Sequence, residues 1–398
     1  MAEGPWLTIL GLGEDGPDGL PPASRAALDA AEVVMGPARH MALVPGTGTE
    51  RVVWPVPFAD GLPILEGFRG RPTVVLASGD PFWFGAGSVI AARLPAREWR
   101  ALPGPSTASL AAARLGWPLD RVTCLGLHAG PLSRLAPHLA PGARLIVLLR
   151  DGAAVAELAA HLDAGGWGPS RLVVLEALGG PRERVTEASA ATPPDHAVAA
   201  PVCAAIEVAG TGIALPRGTG LPDALFDSDG QITKAPMRAL TLAALAPVPG
   251  ETLWDIGGGS GSVAIEWLLR DPSLAAVSVE RRADRAARIA SNAARLGVDR
   301  LRVVEGTAPE ALADLPAPQA VFVGGGLSDA LVAALRAAAP AARLVANAVT
   351  LEGEATLARW HERLGGELLR IELARAAPLG GYRGWRAAYP VVQWSFRP

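Results

Sequence analysis

Thr252-Leu-Trp-Asp-Ile-Gly-Gly-Gly-Ser-Gly-Ser-Val-Ala-Ile-Glu-Trp-Leu-Leu269 is the stretch from which the rest of the chain can be read. An apolar run closes on Asp255, Gly257, Gly259 and Gly261 follow, and an apolar segment of helical period resumes, which predicts strand, tight turn and helix. Glycines at such a corner let a ligand approach the backbone. A second apolar run, Ala275–Val279, ends at Glu280, where one carboxylate can accept hydrogen bonds from both hydroxyls of a ribose.

The turn narrows the choice of cofactor. A dinucleotide fingerprint, G-x-G-x-x-G, sets a pyrophosphate on the helix N-terminus, whereas this stretch reads D-x-G-x-G-x-G with Asp255 at the strand end. A carboxylate there repels a pyrophosphate and suits a ligand with a cationic amino-acid end and no phosphate, such as S-adenosylmethionine.

Around this unit lie 398 residues, enough for two domains of about 200 each. Half of them are apolar and 19% charged, which excludes a disordered chain, and no apolar run approaches the roughly 20 residues of a membrane span. The N-terminus, Met1-Ala-Glu-Gly-Pro, has no basic segment leading into an apolar one, so a cytosolic protein is expected. A formal charge of −3 argues against nucleic acid as the partner. Cys124 and Cys203 sit in apolar, strand-like contexts and read as buried thiols. His40, His128, His138, His161, His196 and His361 show no ligand spacing, and no metal is expected. Of 36 basic residues only Lys234 is a lysine, either a survivor of an arginine-biased composition or a place where a compact ammonium serves better than a planar guanidinium.

Towards the N-terminus, Trp6–Leu10 reads as a strand running into Gly11-Leu-Gly-Glu-Asp-Gly16, and Pro21–Ala31 as a helix. Strands at Glu32–Gly36 and at Thr73–Ser78 follow, the latter breaking into Gly79-Asp80-Pro81. Leu102-Pro-Gly-Pro-Ser-Thr107 leads a helix to Leu115 that Ser106 or Thr107 is placed to cap. The pattern restarts near Arg121–Leu127 as a second lobe, with strands at Arg144–Leu149, Arg171–Leu175 and Ala200–Ile206 and a helix Ala153–Leu162. Alternation of strands and helices predicts parallel sheets with loops gathered at the strand ends. Residues 209–222, rich in Gly and Pro without periodicity, read as a linker between domains 1–208 and 223–398. Beyond it, strands are predicted at Glu251–Ile256, Ala276–Glu280, Leu301–Glu305, Ala320–Val323, Ala342–Ala346, Glu367–Ala374 and Trp385–Phe396, the last with Pro390 at an edge or bulge. Helices at Ala283–Asn292 and Ser328–Ala338 fit between them.

With these motifs in order, the first half resembles the two-lobed tetrapyrrole methyltransferases through Gly11 and Gly13, Ser78-Gly-Asp-Pro-Phe-Trp-Phe-Gly85 and Pro103-Gly-Pro-Ser-Thr107. The second half is similar to the Rossmann-like decarboxylating precorrin methyltransferases through Asp229-Gly-Gln-Ile-Thr-Lys-Ala-Pro-Met-Arg238 and the Asp255–Gly261 turn. The resemblance implies an α/β chain: an N-terminal two-lobed tetrapyrrole methyltransferase fold followed by a C-terminal Rossmann-like seven-strand domain. It implies a fused enzyme of aerobic cobalamin synthesis with two S-adenosylmethionine sites. The first half would methylate C5 of a precorrin, and the second would decarboxylate the ring-C acetate and methylate C15.

By the same resemblance, Gly11, Gly13, Gly79, Asp80, Pro81, Phe84, Ser106 and Thr107 line the first cofactor site, in the cleft between lobes. Thr233, Asp255, Gly257, Gly259, Gly261, Glu280, Thr307 and Ala308 line the second, with Glu280 on the ribose and Thr307-Ala308 at the adenine. The chain departs from the family pattern at Gly13-Glu-Asp-Gly16, where the family loop reads G-x-G-P-G, and at Thr307, where many relatives carry an acid.

A methyl on a sulfonium is already activated, so transfer asks for in-line approach and exclusion of water rather than an acid–base triad. The precorrin carries many carboxylates, so local basic groups are expected, first Lys234 and Arg238, one helical turn apart, as substrate-carboxylate or decarboxylation residues. Arg217, Arg383 and Arg386 are either further contacts or solvated surface residues, and Arg281, Arg282, Arg285 and Arg288 read as an exposed helix face. A tetrapyrrole is the expected partner, with no nucleic acid and no membrane, and the resemblance implies a homo-oligomer, a tetramer. Rival readings are a methyltransferase pair on another substrate, one half kept only to hold the tetrapyrrole, or a nicotinamide-dependent reductase.

Overall fold

The computed structural model describes residues 4–44, 46 and 48–398. Contacts divide the chain into two compact units, residues 1–132 with 138–213, and residues 133–137 with 214–398. The division falls within the Gly- and Pro-rich stretch 209–222, which is packed at both ends. Gly210 and Gly212 lie against Gly166 and Trp167 of the first unit, close enough that a Cβ on either would meet backbone or ring within 2.3 Å. Leu221 is buried in the core of the second.

Two sheets form the first unit. Strands β1 (Leu7–Leu12), β2 (Val33–Gly36), β3 (Glu50–Val53), β4 (Thr73–Ser78) and β5 (Trp99–Leu102) form a parallel sheet in the order β3-β2-β4-β1-β5. All six residues of β1 are buried, as befits a central strand covered on both faces. The second sheet holds β6 (Thr123–Gly126), β7 (Arg144–Leu148), β8 (Arg171–Glu176), β9 (Arg184–Ser189) and β10 (Val202–Glu207), in the order β6-β7-β10-β8-β9. Here the expectation of parallel sheets throughout is corrected, because only β6 and β7 pair in parallel. The link from β8 to β9 is seven residues turning at Gly179, too short for a crossover, so the two strands run antiparallel. β7 and β8, joined through the helix Ala153–Leu162, leave a gap that β10 fills in the opposite direction.

The second unit is a seven-stranded sheet of β11 (Thr252–Ile256), β12 (Ala275–Glu280), β13 (Arg302–Glu305), β14 (Ala320–Val323), β15 (Arg343–Ala348), β16 (Glu367–Ile371) and, after an intervening hairpin, β19 (Val391–Phe396). Its order is β13-β12-β11-β14-β15-β19-β16, with β19 antiparallel to both neighbours. Side chains alternate across it. Leu253 and Phe322 face a core built with the helices Ala235–Leu245, Ser262–Leu268 and Ala283–Arg295, while Trp254, Val321 and Trp394 face one built with Asp329–Ala338 and Leu351–Leu364. All seven residues of Ser262–Leu268 are buried. This is the three-layer, mixed α/β arrangement expected for the C-terminal half.

One stretch departs from the sequence reading. The single strand expected over Trp385–Phe396 is broken in two: its first residues belong to β18 (Tyr382–Ala387), which pairs with β17 (Ala374–Leu379) in an exposed hairpin, and the rest form β19. Gly380 and Gly381 make its two-residue turn, with Gly380 at φ +60°, and Pro390 separates the hairpin from the core strand. Among the described residues no helix is long and apolar enough to cross a membrane.

Candidate active site

In the second unit the carboxyl ends of β11, β12, β13, β14 and β15 surround a cavity of about 830 Å³. Ligands of open α/β sheets bind at this edge. Of the residues singled out from sequence, Thr233, Lys234, Asp255, Gly257, Gly259, Glu280, Thr307 and Ala308 line it together.

The floor depends on backbone approach. Gly257 has φ +73°, and a Cβ there would lie 2.9 Å from Gly325, so the loop after β11 and the loop after β14 touch main chain to main chain. Gly258, missed from sequence, sits under Ser278, where a Cβ would come within 2.0 Å of Oγ. Gly324, Gly325 and Gly326 also line the cavity and were missed. A strand ending in glycines, Ala320–Val323 then Gly-Gly-Gly, was the available signal. Gly261 lies outside the lining residues. At φ +75° it starts the helix Ser262–Leu268, and Ile289 packs where its Cβ would be, 2.7 Å away, so its part is to seat the helix.

Glu280 is nearly buried, and its oxygens accept from Gly259 N–H and from Arg282 N–H, each at 3.0 Å. Each oxygen keeps lone-pair capacity towards the cavity. Asp255 differs from the expectation of a direct ligand contact. Ser278 Oγ donates to it at 3.3 Å, and it is 1% exposed. Burial, reinforced by the neighbouring Glu280 charge, pushes its carboxyl up to about 7. Asp255 therefore ties β11 to Ser278 of β12 and to the helix Ser262–Leu268 through Ala264 N–H while edging the cavity.

Across the cavity mouth runs the segment 227–234, tied down from several sides. Asn292 accepts from Asp227 N–H at 2.9 Å and donates to Asp227 O at 2.9 Å and to Ser260 O at 3.0 Å. Arg285 donates to Asp229 at 2.8 Å, and Arg288 lies 3.4 Å from Asp227 and 3.6 Å from Asp229. The expected exposed helix face is not formed: Arg281 and Arg282 are exposed but precede the helix Ala283–Arg295, Arg281 lining the cavity, while Arg285 and Arg288, on the helix, are half-buried clasps.

Arg238 is a correction. Its side chain has no exposure and makes an internal network: Nε donates to Glu266 at 2.5 Å, both terminal nitrogens reach Asp223 at 3.2 Å, and the carbonyls of Thr233 and Leu221 accept the remainder. The guanidinium lies 4.7 Å from the Phe226 ring centroid. Glu266 also accepts from the Gly220 and Leu221 N–H groups at 2.7 and 2.8 Å. No donor is left for a substrate carboxylate. Lys234, by contrast, precedes the helix Ala235–Leu245 with a 58% exposed side chain, 3.8 Å from Asp223, at the cavity lining.

Asn347, also missed, enters the cavity from the end of β15. Its Nδ2 donates to Thr241 Oγ1 at 2.9 Å, and its Oδ1 accepts from Gln393 Nε2 at 3.0 Å. Gln393 Nε2 also donates to Thr241 Oγ1 at 3.2 Å. The side-chain amide is thereby held in one orientation.

In the first unit, Gly11, Gly79, Ser106 and Thr107 gather at the carboxyl ends of β1, β4 and β5. A Cβ on Gly11 would collide with Gly79 O at 1.8 Å and Gly104 N at 2.5 Å, and Gly104 N–H donates to Gly79 O at 3.0 Å. Gly13 opens a turn that Gly16 N–H closes at 3.2 Å. Ser106 caps the helix Thr107–Leu115, its Oγ accepting from Ser109 N–H at 3.1 Å. Asp80 accepts from Phe82 N–H at 2.9 Å, and Pro81 O accepts from Gly87 N–H at 2.9 Å. Phe84, at φ +57°, lays its ring over Gly126 at the end of β6 in the other lobe, where a Cβ would come within 2.8 Å of the ring. Such a φ costs a non-glycine residue about 1–3 kcal/mol.

Two family models match the chain in tandem: Tetrapyrrole (Corrin/Porphyrin) Methylases over residues 7–194 and the Precorrin methyltransferase domain over residues 224–397. A protein of Sinorhizobium sp named precorrin-6Y C(5,15)-methyltransferase (decarboxylating) is 51% identical over 397 residues, covering 98% of this chain and 96% of its own length. One of the same name from Mycobacterium tuberculosis (strain CDC 1551 / Oshkosh) is 41% identical over 400 residues, covering 98% and 99%. The crystal structure of the C-terminal domain of precorrin-6Y C5,15-methyltransferase from Rhodobacter capsulatus is 55% identical and covers 46% of this chain and 100% of that one, with a TM-score of 0.45. By identity and coverage along its whole length, the chain belongs to the precorrin-6Y C(5,15)-methyltransferase (decarboxylating) family.

Proposed function

We propose that the chain methylates a precorrin at C5 and C15 and removes the ring-C acetate carboxylate, with one S-adenosylmethionine site in each half. The observation that carries the reading is the cavity of the second unit, where a glycine floor and the Glu280 carboxylate face the same space at the strand ends. The fit to an adenosyl ligand rests on this chain's own geometry. Gly259, at φ +60°, carries no side chain beneath the strap at Gln231, so a ligand can lie flat on the backbone. Glu280 is an acceptor-only group fixed by two backbone donors, suited to two ribose hydroxyls. Thr307 and Ala308 edge the adenine end, and Thr233 and Gln231 close the strap side.

S-adenosylmethionine, when bound, supplies a methyl already activated on sulfur. The residues around it orient and desolvate: the strap excludes water, and the glycine floor sets the depth at which the methyl faces the precorrin. Lys234 stands at the mouth as a point charge for a peripheral carboxylate. Asn347, locked by Thr241 and Gln393, keeps one amide hydrogen and one oxygen lone pair for the macrocycle. Loss of CO₂ from the ring-C acetate leaves its electron pair in the conjugated pyrrole system, and that density reaches C15, which attacks the methyl. Decarboxylation and C15 methylation are coupled in this account. The first half, matched to the tetrapyrrole methylases, transfers the other methyl to C5. A homo-oligomer completes the reading, carried over from the resemblance.

Mass spectrometry after incubation of the full chain with precorrin and S-adenosylmethionine tests this. Two methyl additions with loss of one CO₂ are expected. A single methyl would leave one half as a holding module, and C15 methylation with the acetate retained would break the coupling.

A further inference from the structure

Glu14 follows the glycine turn at the end of β1 and is 7% exposed. Two guanidiniums reach it from opposite lobes of the first unit. Arg39, from the helix Ala38–Leu43, donates to one oxygen, and Arg182, from the turn between β8 and β9, donates to the other at 3.0 Å. Gly180 packs against the stem of Glu14, where a Cβ would lie 2.5 Å from Glu14 Cβ and 2.8 Å from its backbone oxygen.

Both arginines are held on their own lobes. Arg39 also donates to Ser78 Oγ at 2.8 Å and lies 2.8 Å from His40 Nε2. Burial, with the Arg39 charge beside it, pushes His40 down to about 4, so the ring is neutral and Nε2 accepts. The turn carrying Arg182 is pinned by Glu183, which accepts from Gly179 N–H at 2.7 Å and from Arg114 at 2.6 and 2.9 Å.

One buried carboxylate needs one cationic partner. The second guanidinium leaves a unit of positive charge, and it is not hidden: the side chains of Arg39 and Arg182 are 34% and 58% exposed. Arg182 spends one of five N–H groups on Glu14. Ser78 is the last residue of β4 and precedes Gly79-Asp80, so the surplus charge stands at the strand ends beside the glycine corner.

We propose that Arg39 and Arg182, preset by Glu14, form a carboxylate-binding site of the first half. The ligand is either an acid side chain of the tetrapyrrole or the amino-acid carboxylate of the cofactor. The proposal rests on the reading that this half transfers a methyl to C5. A guanidinium fork fits a carboxylate through two parallel hydrogen bonds, and anchoring from both lobes makes the site depend on their mutual placement.

The test uses the full chain with ¹³C-methyl S-adenosylmethionine and precorrin, NMR separating C5 from C15 label, and calorimetric titration with S-adenosylhomocysteine. Arg182→Gln leaves Arg39 to neutralise Glu14, so folding is preserved, and an unchanged thermal melt of the first unit reports this. An increase of about tenfold in the precorrin KM for C5 transfer, only partly restored in Arg182→Lys, which keeps the charge and loses the fork, with S-adenosylhomocysteine affinity retained, supports the site and assigns it to the tetrapyrrole. A tenfold loss of S-adenosylhomocysteine affinity instead supports the site and assigns it to the cofactor. Changes below twofold in both overturn it. Failure of the wild-type chain to label C5 at all would instead refute the reading on which the site rests.

Discussion

Arg238 and Glu266 form an ion pair at 2.5 Å with neither side chain reached by solvent. Through it the chain entering the second unit, Gly220 to Thr233, is fastened to the helix that follows the glycine turn. Breaking a buried pair from one side leaves an uncompensated charge, which costs about 3–5 kcal/mol. We therefore expect Arg238→Ala to lower the unfolding free energy of this unit by about that amount in urea titrations. The double variant Arg238→Met/Glu266→Leu should recover only part of the loss, because the Gly220 and Leu221 N–H groups and the Thr233 and Leu221 carbonyls lose their side-chain partners.

Gly257 and Gly325 exclude a side chain at the floor of the cavity. Gly257→Ala puts a Cβ 2.9 Å from backbone, at φ +73°, and should lower S-adenosylhomocysteine affinity at least tenfold by calorimetry, at a stability cost of about 1–3 kcal/mol. Gly261→Ala, which meets Ile289 instead, should reduce stability with a smaller effect on affinity.

The two units carry opposite pH signatures. His40, lowered from 6.5 to about 4, binds more protons unfolded than folded between those values, so its contribution is full above pH 6.5 and is lost as pH falls towards 4. Asp255, raised from 3.8 to about 7, binds more protons folded, so its contribution is present below pH 3.8 and is lost as pH rises through 7. Thermal melts of His40→Gln and Asp255→Asn against wild type should show difference curves of opposite slope across pH 4 to 7.

Asn347 tests positioning apart from binding. With Gln393→Leu the amide loses one of its two anchors, and the C15 kcat should fall about tenfold while the precorrin KM stays within about threefold. Equal changes in both would assign Gln393 to packing alone.

The parts of the fold legible in the sequence were those where one period dominates. β11, β12 and β14 are apolar runs stopped by Gly or an acid, and their ends were readable within a residue. The hairpin of β17 and β18 was missed because its residues are mostly exposed on both faces, leaving no buried stripe to betray a period, although Gly380-Gly381 marked its turn. The antiparallel run of the second sheet was hidden by an intervening helix that suggested a simple crossover. Among site residues, glycine spacing led to positions that line one cavity, yet spacing along the chain does not separate a buried arginine from a free one. Arg238 and Lys234 stand four apart, and what distinguishes them is Glu266, 28 residues away.

Among the described residues, Glu280 is the one side chain of the cavity suited to hold both ribose hydroxyls. Calorimetry of S-adenosylhomocysteine binding to Glu280→Gln and Glu280→Ala, with C15 methyl incorporation measured on the same preparations, addresses it most directly. Loss of two hydrogen bonds to a charged acceptor should weaken the second-unit site by about tenfold or more in the alanine variant, less in the glutamine variant, with C15 incorporation falling in parallel. Unchanged affinity and unchanged C15 product in Glu280→Ala would contradict it.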